Sequence, residues 1–272
     1  MNFIISCSIV LYKSNDKVFE AIESFLNTTI PVRLFLVDNS PTNALQEQLK
    51  KYIKDSRVEY IFNNKNLGYG VAHNIAINKI IFSSTYHLVL NPDVIFREDV
   101  LTTLWKYMES NPTVGLVTPK VFYEDGRIQY TCKLLPTPLD LTLRRFLPKR
   151  LITSQMKRFE LRDYYDAAFE APYIHGCFMF LRTEALNKVG LFDERFFMYP
   201  EDIDLTRRIY KEYKTMFYPG VEIVHSHAKE SYKSMKLFYI HIVNMIRYFN
   251  KWGWVFDNER RKINRKVLSQ FK

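Results

Sequence analysis

Residues 88–93, Leu-Val-Leu-Asn-Pro-Asp, put a carboxylate where chemistry can use it. The apolar triplet has the character of a buried strand end. Pro92 then stops the ladder, because it has no N–H to donate. Asp93 is delivered just past the strand's carboxyl end, the rim at which open α/β sheets bind ligands. A carboxylate fixed there can hold a divalent metal and, through it, a diphosphate. Asn-Pro-Asp is also good turn chemistry, so the surrounding residues must decide between the two.

Other strand ends supply candidates. Asp38, in Asp38-Asn39-Ser40, follows an apolar run and can accept a hydrogen bond from a base or ribose, or cap its own turn. Tyr12 to Asn15 follows the first apolar run in the same way. Gly68 and Gly70, after Asn66, can let backbone N–H groups approach a phosphate or base, or form a plain loop. Their G-x-G-x-x-H pattern follows a third strand and is not a dinucleotide fingerprint. Gly176 lies inside an apolar run, which suggests close approach by a ligand or another backbone. Pro200 suits a helix start, so Glu201, Asp202 and Asp204 fall in or near a first turn, where the macrodipole favours acids. Under Phe196, Phe197 and Tyr199, such an acid can also be a general base for an acceptor hydroxyl. His225 and His227 are two apart at a strand end and face one side. Either can complete a metal site begun by Asp93, or both can be surface histidines.

These residues need a frame. Strands are expected at residues 3–11, 32–37, 58–62 and 87–90, alternating with helices at 16–26, 45–53 and 71–81. That alternation implies a doubly wound parallel sheet. A helix over 99–110 and a strand over 114–117 follow, with a short strand at 128–130. Residues 133–165 carry three prolines and a basic run, and form a long excursion over the acceptor side or a solvated loop. A strand over 173–181, a helix over 183–189, a helix from 200 and a strand over 221–224 come next. The last expected helix, 236–249, precedes Trp252, Trp254, Phe256 and Arg260-Arg261-Lys262.

The 272 residues are 47% hydrophobic and 25% charged, which excludes a disordered chain and fits one large domain or two small ones. Cys7, Cys132 and Cys177 form no C-x-x-C pair, so a reducing compartment is expected, without disulfides or a zinc knuckle. No run of 18 apolar residues predicts a transmembrane helix, and no basic segment precedes Asn2-Phe3-Ile4-Ile5 to predict a signal peptide. The net charge of +10 is uneven. Residues 232–272 hold ten Lys/Arg against two Asp/Glu, leaving +2 for the rest. A basic, aromatic tail suits an anionic partner, such as a lipid headgroup layer or nucleic acid. A helix packed on the body with an exposed basic end is the plainer reading. Nucleic acid is disfavoured, because the charge is not interleaved through the predicted rim.

Taken in order, the landmarks resemble the inverting family-2 glycosyltransferases with a GT-A fold. They are Ser8-Ile9-Val10-Leu11-Tyr12, Val37-Asp38-Asn39-Ser40, Asn66-Leu67-Gly68-Tyr69-Gly70 with Asn74, Asn91-Pro92-Asp93, Gly190-Leu191-Phe192-Asp193, residues 197–205 with Arg208, His225-Ser226-His227 with Ser231, and residues 248–253. The likeness spans nearly the whole chain and is nearest the rhamnosyltransferase-like branch that builds bacterial surface polysaccharides. It implies an α/β GT-A fold, Rossmann-like, with a mostly parallel central sheet flanked by helices and a C-terminal helical extension. Residues 1–230 would be the catalytic domain, with a nucleotide-sugar half (1–95) and an acceptor half (96–230), and 231–272 the extension. Asp202 would be the general base of the Glu201-Asp202 pair, and Asp38 would contact the base. Asp93 would bind Mg²⁺ or Mn²⁺ bridging the donor diphosphate, with His225 or His227 nearby. Tyr12, Asn66, Gly68, Asn74, Asn91, Gly176 and Arg208 would complete the substrate site. Asn91 departs from the usual D-x-D pattern and removes one charge from the metal site. The implied activity is inverting transfer from a nucleotide-diphosphate sugar to a glycan or lipid-linked acceptor. It would take place in the cytoplasm, at the inner face of the plasma membrane, with the tail on an anionic surface. The competing reading is an inactive transferase-like binding subunit, or a basic membrane- or nucleic-acid-binding protein.

Overall fold

A computed structural model describes residues 3–97, 99–140, 149–226 and 235–272. His227 and Ser231 lie outside the described residues. The first half alternates as expected: β1 (Phe3–Leu11), α1 (Lys17–Leu26), β2 (Val32–Asp38), α2 (Ala44–Gln48), α3 (Lys50–Ile53), β3 (Val58–Phe62), α4 (Tyr69–Ile80) and β4 (Ser84–Leu90). The single helix expected over 45–53 is broken at Leu49 into α2 and α3. Helix α4 starts two residues before the expected 71, so Tyr69 and Gly70 belong to its first turn rather than to a loop.

The second half continues with β5 (Val94–Phe96), α5 (Asp99–Ser110), β6 (Val114–Phe122), β7 (Cys132–Lys133), α6 (Lys149–Phe159), β8 (Phe169–Glu170), β9 (Tyr173–Ile174), β10 (Phe178–Arg182), α7 (Thr183–Val189), α8 (Glu201–Glu212) and β11 (Lys214–His225). Two helices follow, α9 (Met235–Trp252) and α10 (Asn258–Ser269). The strand expected over 173–181 is interrupted at residues 175–177, between β9 and β10. That gap is where Gly176 meets the site.

Nine of the described strands build one sheet in the order β3-β2-β1-β4-β10-β6-β11-β5, with β8 beside β11, and β7 pairs with β9 apart from it. β3, β2, β1 and β4 are parallel. β10 runs antiparallel to both β4 and β6, and β6 pairs parallel with β11. The strands alternate their side chains between two cores, as period two requires. Cys7, Ile9, Leu11, Leu88, Leu90, Phe178 and Phe180 face α1 and α5. Val89, Met179 and Leu181 face the opposite core, where α8, α9 and α10 pack. Fully burying one such large side chain contributes about 1.5–3 kcal/mol. The sheet is therefore a fixed platform, and β1, β2, β4 and β11 end on it in the polar residues that matter.

Helix α9 buries Asn244, Met245, Tyr248 and Phe249, and α10 buries Arg260, Ile263 and Val267. An ion pair locks them to α8. Arg207 donates to both carboxylate oxygens of Asp257 at 2.7 and 2.9 Å, and its guanidinium lies 4.1 Å from the centre of the Trp252 ring.

Candidate active site

The strand end that carries Asn91-Pro92-Asp93 lies beside β11. Asp93 Oδ1 is 3.3 Å from His225 Nε2, and the backbone N–H of Ser226 donates to the Asp93 carbonyl at 3.0 Å. The register is set by β5, which starts at Val94 and pairs antiparallel with β11, so that Val94 sits opposite His225. Gln129 Oε1 holds the other ring nitrogen, Nδ1, at 2.7 Å. Burial opposes a charged His225, but Cys177 and Asp93 outweigh it and push its pKa up to about 10.

Asn91 lies between this pair and the rest of the site. Its amide nitrogen is 3.3 Å from His225 Nε2 and its oxygen 3.2 Å from the Tyr69 hydroxyl. That hydroxyl already donates to the Gly176 carbonyl at 2.6 Å. Reversing the amide exchanges two atoms of nearly equal size and matches every partner. Tyr69 then donates to Gly176 and accepts from Asn91, while the Asn91 oxygen faces the protonated His225. Burial raises the Tyr69 pKa well above that of a free phenol, so the hydroxyl keeps its proton to donate.

Gly176 carries the network on to Asp202. Its backbone N–H donates to Asp202 Oδ2 at 2.9 Å, and the N–H of Ile203 donates to Oδ1 at 2.7 Å. A Cβ at Gly176 would lie 3.4 Å from the Tyr69 oxygen and 3.5 Å from the Asp202 Cβ, so the site is built closely around this residue. Both acids at the start of α8 are buried. Burial raises Asp202 to about 7, against the pull of the two N–H donors and of Lys133. Glu201 is also raised well above the usual carboxylate range, by burial and by the Asp202 charge, and its Oε2 has no hydrogen-bond partner among the described residues. Pro200 is the N-cap residue rather than the first helical one, and Tyr199 before it holds φ at 92°, a left-handed value that bulky residues rarely adopt.

The remaining expected residues divide between the rim and the scaffold. Asp38 is fully buried, with Ser40 N–H at 2.8 Å on one oxygen and the Tyr60 hydroxyl at 2.5 Å on the other. In this conformation it braces its own turn. Tyr12 is half exposed at the neighbouring strand end. Asn66 accepts from Gly68 N–H, and Asn39 donates to the Gly68 carbonyl. Gly68 has φ of 90°, and a Cβ there would come within 2.5 Å of the Phe197 carbonyl, so it is required for packing against the loop before α8. Asn74 clamps that loop from its other end by two hydrogen bonds with the Phe192 backbone. Arg208 caps the carbonyls of Val189, Gly190 and Leu191 and pairs with Asp204. Asn74 and Arg208 are thus not brought to the Asp93–Asp202 network. Among the described residues no three His, Cys, Asp or Glu side chains gather as a metal cluster. Tyr69 and Gln129 are the members that sequence reasoning missed.

Residues 6–190 match the sequence profile of glycosyl transferase family 2, about two thirds of the chain. The chain belongs to glycosyl transferase family 2. Among curated proteins this glycosyltransferase is 27% identical over 220 residues to the N-acetylglucosaminyl-diphospho-decaprenol L-rhamnosyltransferase of Mycobacterium tuberculosis, covering 75% of this chain and 69% of the relative. It is 25% identical over 248 residues to the rhamnosyltransferase WbbL of Escherichia coli K12, covering 88% and 90%. Among solved structures it resembles GalNAc-T7 with UDP, GalNAc and Mn²⁺, with a TM-score of 0.62 and 17% identity, over 82% of this chain. It spans 43% of that structure, so the likeness concerns the shared fold. The glycosyltransferase has the GT-A architecture, a large mixed sheet between helices, expected from its motifs.

Proposed function

We propose that this glycosyltransferase moves a sugar, of the rhamnose class, from a nucleoside diphosphate to a hydroxyl of a lipid-linked or glycan acceptor, with inversion. One observation carries the reading. A buried acid with a pKa near 7 and a carboxylate–imidazole pair belong to one continuous hydrogen-bonded network, Asp202–Gly176–Tyr69–Asn91–His225–Asp93. In-line displacement needs both functions, a base on the acceptor side and charge stabilisation on the leaving side. Both relatives' names support rhamnose, and the mycobacterial one a diphospho-decaprenol acceptor. In this reading the reaction takes place at the inner face of the cytoplasmic membrane, in surface polysaccharide synthesis. Residues 1–230 form the catalytic unit in this reading, and 231–272 an extension.

The donor atoms fit a divalent cation. Asp93, His225 and the Asn91 amide oxygen, in the reversed orientation, offer one carboxylate, one imidazole and one neutral oxygen, a set that suits Mg²⁺ or Mn²⁺. A cation there would replace the proton that His225 shares with Asp93, and would supply charge stabilisation for the departing diphosphate. The protein's own part is proton transfer and orientation. Asp202, held by the N–H groups of Gly176 and Ile203, takes the proton of the acceptor hydroxyl as its oxygen bonds to the anomeric carbon. The bond from that carbon to the diphosphate breaks, and the nucleotide leaves with the electron pair. Burial keeps water away from the base and sets its pKa near the working pH.

Calorimetric titration with UDP, GDP and dTDP, with and without Mn²⁺, tests the donor half. We expect binding of at least one nucleotide that strengthens with Mn²⁺ and loses that gain in Asp93→Ala. No nucleotide binding under either condition would favour an inactive transferase-like subunit. Product stereochemistry by NMR, from the sugar nucleotide so identified, tests inversion.

A further inference from the structure

Helix α9 is buried on one side only. Met235, Tyr239, Ile242 and Ile246 recur at intervals of four, three and four, so they share a stripe about 60° wide at 100° per residue. All four are exposed, Met235 at 79% and Tyr239 at 68%. Four large apolar side chains along one line are more than scattered surface hydrophobics. The turn after α9 adds Trp254, Val255 and Phe256, the last 88% exposed. This turn is braced rather than loose. Arg260 donates to the carbonyls of Gly253 and Trp254, Arg261 to that of Val255, and Trp254 Nε1 to Asn250. Trp254 leans on Phe249 at 5.2 Å, and these bonds hold Val255 and Phe256 beyond it in water.

Cations flank both features. Lys236 and Arg247 are exposed on the face of α9 next to the stripe, and Arg261, Lys262, Arg265 and Lys266 are exposed along α10. From Met235 to Lys272 there are nine Lys/Arg and two Asp/Glu, and Asp257 is among the buried residues. An apolar stripe with a basic border is the pattern of a helix that lies in a bilayer interface. A second copy of this chain fits poorly, because a two-fold contact would set the basic border against itself. Nucleic acid would use the cations and leave Ile242, Ile246 and Phe256 without a role.

We infer that the exposed face of α9, the Trp254–Phe256 turn and the basic face of α10 together dock this protein on an anionic lipid bilayer. The face adjoins the site. Asn244 on α9 donates to the Met198 carbonyl at 3.0 Å, and His241 packs against Tyr199 at 4.9 Å, three residues before Asp202. Docking would orient the Asp202 end toward a membrane-embedded acceptor, a consequence that rests on the transferase reading above. The docking itself does not.

Co-sedimentation of the full chain tests it, with vesicles of phosphatidylcholine alone and with roughly one third phosphatidylglycerol. We expect binding to the anionic vesicles at 0.1 M salt, weakened as salt rises. Ile242→Ser with Ile246→Ser, and separately Val255→Ser with Phe256→Ser, should each lower the apparent affinity by about tenfold or more at every salt concentration. Arg261→Gln with Lys262→Gln and Arg265→Gln should abolish the preference for anionic vesicles. Thermal unfolding midpoints equal to wild type confirm that these exposed changes leave the fold intact. Wild-type protein that ignores anionic vesicles would overturn the proposal, as would apolar-face variants that bind like wild type. A dimer in solution that Phe256→Ser disperses would assign the face to a second copy instead. Because sedimentation needs no turnover, a chain that binds vesicles but transfers no sugar fails only the transferase reading. One that turns over donor but ignores vesicles fails only this inference.

Discussion

Asp202 and Asp204 are two residues apart in the same turn of α8, both are buried, and the protein treats them oppositely. Asp204 is saturated with cations and a strong donor: Arg208 at 2.9 Å, Lys251 at 2.6 Å and the Trp252 indole at 2.8 Å. Asp202 accepts from two backbone N–H groups and feels the Lys133 charge, yet burial raises its pKa to about 7. The helix thus has a structural side, which fixes the C-terminal helices, and a chemical side, which keeps a carboxylate under-neutralised. Neutralising an acid stabilises a fold but removes its value as a base.

The largest expected effect tests the chemical side. Asp202→Asn keeps the shape but can accept from just one of the two backbone N–H groups and cannot take a proton, so sugar transfer should fall by roughly 10²–10⁴-fold. Transfer within a few-fold of wild type, from folded protein, would leave Asp202 as no more than a helix-start acid. The structural side predicts the reverse pattern. Arg207→Met removes the bidentate partner of the Asp257 carboxylate, which is 2% exposed and keeps the Arg260 N–H at 2.8 Å and its guanidinium at 3.7 Å, and should cost up to about 3–5 kcal/mol of stability. Below its lowered melting temperature, the variant should still bind donor nucleotide with near wild-type affinity by calorimetry. If its folded form lost donor binding, the two sides of α8 would not be separable.

pH gives a finer test. Asp202 has a folded pKa raised above the unfolded value, so the favourable state is the protonated one. Its stabilising contribution is complete below the unfolded value near 4, and is lost as pH rises through about 7. The stability of Asp202→Asn relative to wild type should therefore rise between pH 4 and pH 8, by on the order of a few kcal/mol or less, on top of a pH-independent cost for the backbone N–H that the amide leaves unpaired. Transfer by the wild type should rise across the same interval, as the base loses its proton. Denaturant unfolding at the two pH values checks the first statement, and a pH–rate profile the second. A stability difference between variant and wild type that stays the same at pH 4 and pH 8 would contradict a raised pKa.

The contrast also marks what could be read in the chain. Asp93, Asp202 and His225 were legible because strand ends and helix starts have residue signatures: a proline stop after an apolar run, and acids behind Pro200. The alternation of the first half was legible for the same reason. The second half was less so. β11 was expected over 221–224 but runs from Lys214, because Pro219 and Gly220 read as a break where the strand only shifts register between Tyr218 and Glu222. α10 was missed because just Ile263, Val267 and the aliphatic part of Arg260 mark its buried face. Which acid of α8 is paired by the C-terminal helix was illegible, since Lys251 and Trp252 reach Asp204 from about fifty residues away. Tyr69 was hidden for a local reason: between two glycines it looks like loop, whereas Gly68 ends the loop and Tyr69 begins the helix.

Tyr69 yields the smallest effect and the most specific one. Its ring packs on His73 at 4.4 Å and Phe192 at 6.2 Å, contacts that Tyr69→Phe retains. The change removes one hydroxyl, and with it the link between the Gly176 carbonyl and Asn91. One hydrogen bond of this kind is worth about 0.5–1.5 kcal/mol, so transfer should drop by up to roughly tenfold. A general loss of packing could do the same, but it would not move two other readouts together. With Gly176 less firmly held, its N–H supports the Asp202 carboxylate less, and the midpoint of the pH–rate profile should move upward. With Asn91 released, Mn²⁺ should strengthen nucleotide binding less than in wild type. An unchanged midpoint with unchanged Mn²⁺ dependence would show that the base and the Asp93–His225 pair are neighbours without being coupled. A shift in both would establish that one phenol sets the chemical side of α8 against the strand end that faces it.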